Sequence, residues 1–141
     1  DCKEHINFQP VREWIERGFG FLVFGGTRYK KELGKAYRYL RLVRLMQDRG
    51  WAVSIKDQVV DDAEMRIAIA TMGTNCDDQH IIALLGASGC SLFCSKDSHS
   101  YEFIKDRRLY PKKMRRIRIY SSARNRGLLK PMRREALRNQ G

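Results

Sequence analysis

Carboxylates stand at three points of this sequence where an apolar run has just ended or is about to begin. Glu32 lies past the run Phe19 to Phe24, Asp77 and Asp78 precede Gln79 to Ser88, and Asp97 follows Cys90 to Ser95. Carboxylate oxygens can cap a helix, pair with a cation or, where several converge, bind a hard divalent cation. The first two uses are the commoner ones for any single acid. Asp77 or Asp78 suits the first turn of a helix, where the dipole favours negative charge. Asp97 could cap a helix over Ser98 to Lys105, and Glu32 could pair with a neighbouring Lys or Arg. Only a joint position at one edge of a fold would give these acids shared chemistry.

The other polar residues carry weaker signals. His80 follows Asp78 by two positions, about 200° around a helix, so the two cannot share one ligand face. A structural role is expected for it. His99 could touch substrate, although a solvated loop histidine is commoner, and His5 is uninformative. Thr27, after Gly25-Gly26, could meet a phosphate through its hydroxyl or through helix N–H groups, or could simply cap. No G-x-x-x-x-G-K-[ST] occurs, which argues against P-loop nucleotide hydrolysis. Arg28, Lys31, Lys35 and Arg38 share a helix stripe that could line an RNA path, although such stripes are most often solvated faces. Tyr101, Tyr110 and Tyr120 could stack bases, but tyrosines in such patterns more often pack.

The elements that must position these residues follow from periodicity and punctuation. Gln9 to Arg17 reads as a short amphipathic helix with Pro10 in its first turn, and Phe19 to Phe24 as a buried strand entering the Gly25-Gly26-Thr27 turn. Arg28 to Arg49 reads as one helix of roughly 33 Å, and Trp51 to Ile55 as a second strand. Val59 to Met72 has a helical pattern with Asp57 as its N-cap, followed by a helix over Asp78 to Ser88. Cys90 to Ser95 is a third strand, Ser98 to Lys105 a short helix and Arg116 to Tyr120 an edge strand. After Ser122 the chain turns polar and basic, suited to an extended or weakly helical course. Strands alternating with helices predict an α/β fold with a mainly parallel sheet and right-handed crossovers. Function then gathers beyond the carboxyl ends of the strands, at Gly25-Gly26, Asp57 and Asp97.

Composition sets the outer limits. The chain has 141 residues, 43% hydrophobic and 31% charged, which suits one folded domain with a real core. It has no apolar run near the ~20 residues of a membrane span, and no signal peptide pattern opens it. It begins with Asp1, which reads as a fragment or a processed product. Cys90 and Cys94 would lie roughly 13 Å apart along a strand, too far to bridge, and no cysteine has metal spacing. Reduced, mostly buried thiols and a cytoplasmic location are expected. The net charge of +12 is uneven: residues 1–104 hold 14 Lys+Arg and 14 Asp+Glu, while 105–141 hold 14 Lys+Arg against Asp106 and Glu135. A neutral stretch over 1–104 and a basic end over 105–141 suggest nucleic acid, with a domain over 1–122 and a basic tail over 123–141. The tail lacks the bulky apolar face that a membrane surface would need.

The order of motifs resembles that of PIN domains. Phe24-Gly25-Gly26-Thr27 followed by Tyr29-Lys30-Lys31-Glu32-Leu33 is similar to that family's second strand and following helix. Asp77-Asp78-Gln79-His80-Ile81-Ile82-Ala83-Leu84 looks like its acid-led helix, and Ser95-Lys96-Asp97 like the end of its last catalytic strand. The resemblance spans roughly Phe8 to Leu129, and its most specific parts are DDQHIIAL and SKD.

The resemblance implies a three-layer α/β/α domain with a mainly parallel sheet and a basic C-terminal extension. It implies a ribonuclease, an endonuclease on single-stranded or looped RNA, whose metal-activated water attacks a phosphodiester. Glu32, Asp78 and Asp97 match the family's second, third and fourth acids and would hold Mg²⁺ or Mn²⁺, with Asp77 as an auxiliary ligand. Thr27, Arg28, Lys31, Lys35, Arg115, Arg116, Arg118, Arg124 and Arg126 are the candidate nucleic-acid contacts. RNA is the expected partner, with a homodimer and an inhibitory protein partner as open alternatives. The family opens on a central strand ending in an acid, which the residues before Phe8 do not supply. That strand is expected in residues ahead of Asp1. The rival reading is a catalytically inactive PIN-like module that binds RNA or protein.

Overall fold

In the computed structural model, which describes residues 2–132, helices and short parallel strands alternate, as an α/β chain requires. The first helix, α1, spans Cys2–Glu16 and so begins well ahead of the Gln9 to Arg17 segment that its amphipathic pattern marks. Pro10 lies inside it rather than in its first turn, removing one N–H from the helix ladder. Tertiary contacts compensate. Trp14 and Ile15 are buried, the Phe8 ring lies 5.6 Å from that of Tyr120, and the Tyr120 hydroxyl donates to Asn7 O at 2.6 Å.

Strand β1, Leu22–Gly25, is followed by two helices where one was expected: α2 over Thr27–Lys35 and α3 over Tyr37–Asp48. The break falls at Ala36, whose φ of −106° and ψ of 74° leave the helical region. Gly34 just before it weakens the helix by about 1 kcal/mol relative to alanine. The break lets α3 lay Val43 against Phe24 and Ala52 in a small separate cluster.

Strand β2, Ala52–Ile55, pairs parallel to β1 with Leu22 opposite Ala52 and Gly25 opposite Ile55. Helix α4, Asp57–Ala70, follows, then α5, Gln79–Ser88. Asp57 is the first residue of α4, and Lys56 takes the N-cap position expected for Asp57. Strand β3, Leu92–Cys94, leads through a 3₁₀ turn to the short helix α6, Tyr101–Ile104, and later β4, Arg118–Tyr120, pairs parallel to β3.

Among the described residues the four strands form two separate parallel pairs, β1 with β2 and β3 with β4, rather than one continuous sheet. Within that same span, one edge of β1 and one edge of β3 are left without a strand partner. Both border a single apolar cleft of about 190 Å³, lined by Val23 and Phe93 together with Trp14 of α1 and Leu84 of α5. The main core lies between α4 and α5 and spreads to both pairs, with Ile55, Val60, Ile82, Ile104 and Tyr120 fully enclosed. Residues 123–132 are part of this body. A capping box of Ser122 and Asn125 starts a 3₁₀ turn over Ala123–Leu128, and the Met132 N–H donates to Phe19 O at 2.7 Å. Residues 133–141, with Arg133, Arg134 and Arg138 of the basic tail, lie outside the described residues. Among the described residues no helix is long and apolar enough to cross a membrane.

Candidate acidic site at the carboxyl edge of the strands

The turn after β1 is shaped by two glycines. Gly26 adopts φ 92°, and a Cβ there would come within 2.6 Å of Val60 Cγ1. That close approach lets the turn meet α4, which follows β2. Gly26 N–H donates to Asp57 Oδ1 at 3.0 Å, Thr27 N–H to Asp61 Oδ1 at 2.9 Å, and the Thr27 hydroxyl to Asp61 Oδ2 at 2.6 Å. Asp57 and Asp61 are four residues apart and share one face of α4. They place carboxylates at the amino end of α2, where its dipole favours them. Thr27 is therefore engaged by Asp61, and Gly26 rather than Thr27 is the N-cap residue.

Arg28 is a clasp. Its Nη2 donates to Asp77 O at 2.7 Å and its Nη1 to Gln79 Oε1 at 3.3 Å, while Nε lies 3.6 Å from Glu32 Oε1 and Nη1 3.9 Å from Glu64 Oε2. One guanidinium thus ties α2, α4 and the start of α5. Its five donors in a planar fork suit such a multi-element contact. Glu32 in turn meets the buried His80, whose Nε2 lies 2.9 Å from Glu32 Oε2. This brings Glu32 of α2 beside the opening of α5, where Asp78 occupies the N-cap position without a side-chain capping bond. Lys30, also on α2, pairs with Asp57 at 2.9 Å.

Asp97 follows the carboxyl end of β3. Its carboxylate caps the following 3₁₀ turn by accepting from His99 N–H at 3.0 Å, and its own N–H donates to Ser95 Oγ at 3.1 Å. The Tyr101 hydroxyl holds Ser95 O, fixing the exit from β3. Asp97 thus follows the carboxyl end of β3, while Glu32 and Asp78 come together where α2 meets the opening of α5. The three do not meet as a ligand set: among the described residues no three His, Cys, Asp or Glu side chains are placed to hold a metal ion. The donor chemistry suits a hard cation, but the arrangement, with Glu32 committed to Arg28 and His80, does not by itself form its cage.

The remaining candidates divide by position. Lys31 and Lys35 are exposed on α2 near the acids, and Arg124 and Arg126 are exposed on the 3₁₀ turn after β4. Arg115, Arg116 and Arg118 stand at the opposite end, where β4 begins. The three tyrosines are structural: Tyr120 is fully buried, and the hydroxyls of Tyr101, Tyr110 and Tyr120 all donate to backbone carbonyls. Cys76, Cys90 and Cys94 are free, the first two buried, and burial pushes the Cys90 thiol up.

Asp61, Glu64 and Gln79 join the site without having been marked in the sequence. The four-residue spacing of Asp57 and Asp61 ahead of an apolar helix face was the available signal for the first. Nothing local signals Glu64 or Gln79, because their partner Arg28 is far away in the chain. Comparison with known proteins adds no relative: no family model, curated protein or solved structure matches this chain.

Proposed function

We propose that this chain is the RNA-acting part of a PIN-like ribonuclease, with a three-layer α/β/α plan and its acids grouped along the carboxyl edge of parallel strands. The observation that supports this reading is that Glu32 of α2 is drawn to the opening of α5, where Asp78 is the N-cap residue, while Asp97 follows the carboxyl end of β3, the end where α/β folds hold their ligands. Glu32, Asp78 and Asp97, with Asp77 beside them, are the residues that would hold Mg²⁺ or Mn²⁺. Such a cation supplies a nucleophilic water and neutralises developing phosphate charge. Lys31 and Lys35 on α2 provide exposed cations for the RNA backbone near the acids, and Arg28 keeps α2 and α5 in register.

The second reading, an RNA-binding module without catalysis, draws on one specific observation: Glu32 is already engaged by Arg28 and His80. Incubation of a labelled single-stranded RNA with Mn²⁺, and separately with EDTA, divides the two. The nuclease reading requires cleavage that EDTA stops and that Asp97→Asn or Glu32→Gln abolishes. RNA that is bound but stays intact under both conditions establishes the second reading, and cleavage that ignores the chelator overturns the metal assignment.

A further inference from the structure

The basic residues at the amino ends of β3 and β4 form a site of their own. Arg115, Arg116, Arg118 and Lys130 line one groove of about 650 Å³, and no Asp or Glu lines it with them. Among the described residues none of these four cations has a carboxylate within ion-pair distance, whereas Arg12, Arg28, Lys30 and Arg108 all do. Four uncompensated charges in one concavity repel one another. An anionic ligand relieves that repulsion.

The groove is anchored to the fold. Arg116 and Arg118 are exposed while Ile117 between them is buried, so the alternation of an extended chain turns both guanidinium groups to the same side. Arg118 N–H donates to Ser91 O at 2.7 Å, which holds that stretch against the start of β3. On the other wall, Trp14 Nε1 donates to Lys130 O at 3.2 Å, and Met132 N–H closes onto Phe19 O. Arg118 and Lys130 therefore project from backbone that is tied down, which lowers the ordering cost of binding.

We infer that this amino-edge groove binds the phosphate backbone of single-stranded RNA, as a surface separate from the acids at the carboxyl edge. Arginine forks match phosphate oxygens bidentately, and a row of them along an extended segment follows the repeat of a polymer better than it fits a single anion. A membrane surface fits poorly. Trp14 at the groove is buried, Leu92 and Met132 are half-buried, and none of the large exposed apolar residues lines it. Because β3 and β4 run parallel, Asp97 and this groove stand at opposite ends of the same strand pair. A strand held in the groove must pass around the domain to reach the acids, so RNA affinity should rise with length beyond what the acids alone can cover. The inference rests on the proposed function only in taking RNA as the polymer.

The test is fluorescence anisotropy of a labelled oligouridine in EDTA, over a range of salt, with the full chain and its variants. Arg115→Ala/Arg116→Ala/Arg118→Ala should weaken binding and lower the slope of log K against log[salt] by about 2, since each phosphate neutralised on a single strand accounts for roughly 0.7 of that slope. The triple Arg→Lys variant keeps the charges and should retain most of the slope, which separates removal of charge from failure to fold. Arg44→Ala, an exposed cation on α3 outside the groove, should leave the slope unchanged, and because binding is read in EDTA without cleavage, the groove can be right even where the nuclease reading fails. An unchanged slope in the triple alanine variant overturns the inference. So does equal binding to polyglutamate, or capture by phosphatidylserine vesicles without binding to the RNA.

Discussion

His80 Nε2 lies 2.9 Å from Glu32 Oε2, joining a buried ring on α5 to a half-exposed carboxylate on α2. The other ring nitrogen, Nδ1, is buried and has no hydrogen-bond partner among the described residues. Glu32 is thus the polar anchor of a histidine that the core has otherwise enclosed. Glu32→Ala should destabilise the protein by about 1–3 kcal/mol, the cost of leaving a buried donor unmade. Glu32→Gln keeps an acceptor in place and should cost less. Urea denaturation of the two variants checks the order, and equal stabilities would show that the ring does not depend on this carboxylate.

The turn after β1 predicts a contrast between two glycines. Gly26→Ala forces a side chain into left-handed backbone and against Val60, and should be strongly destabilising. Gly34 has open space around it and lies in exposed helix, so Gly34→Ala should stabilise by about 0.4–1 kcal/mol. Thermal melts of the pair decide it. A neutral Gly26→Ala would mean that the close approach of this turn to α4 is not required.

Acid stability should report on the Lys30–Asp57 contact. The hydrogen bond from Lys30, and then that from Gly26 N–H, hold the Asp57 carboxyl below the usual range. A carboxyl depressed in the folded state stabilises at every pH above its unfolded value, about 3.9, and that contribution is lost as pH falls through the folded value. Asp106, lowered by Arg108, behaves alike. The melting temperature of Lys30→Met should therefore lie below that of the parent at neutral pH and converge with it below about pH 4. A gap that persists unchanged into acid would mean that the pairing contributes nothing through ionisation.

The unpaired edges of β1 and β3 predict a response to an added strand. A segment of about 15–20 residues, one apolar strand with its connecting loop, joined ahead of α1 should enter the cleft between Val23 and Phe93. Backbone groups of both edges would then gain partners, and the melting temperature should rise. Hydrogen exchange at Val23 and Leu92 should slow at the same time. If both measurements stay at the parent values, the cleft is not a strand site.

Local pattern determined much of this protein. The apolar runs bordered by glycine placed β1, β2 and the carboxyl end of α5 close to where they stand, because burial of alternating or contiguous apolar residues is encoded within a few positions. The acid-led start of α5 and the position of Asp97 after β3 were legible for the same reason, as was the uneven charge. What tertiary structure decided depends on residues distant in the chain. Arg28, a candidate nucleic-acid contact on a cationic stripe, is half-buried and engaged because Asp77, Gln79 and Glu64 arrive from elsewhere to meet it. Thr27 gives its hydroxyl to Asp61, which α4 brings to it, while Gly26 takes the N-cap position. One long helix becomes two at Ala36, and the second lays Val43 against Phe24 and Ala52, residues that no local window brings together. Arg115, Arg116 and Arg118 fall at the opposite end of the β3/β4 pair from Asp97 because strand direction, set by parallel pairing with β3, is not written in any local window.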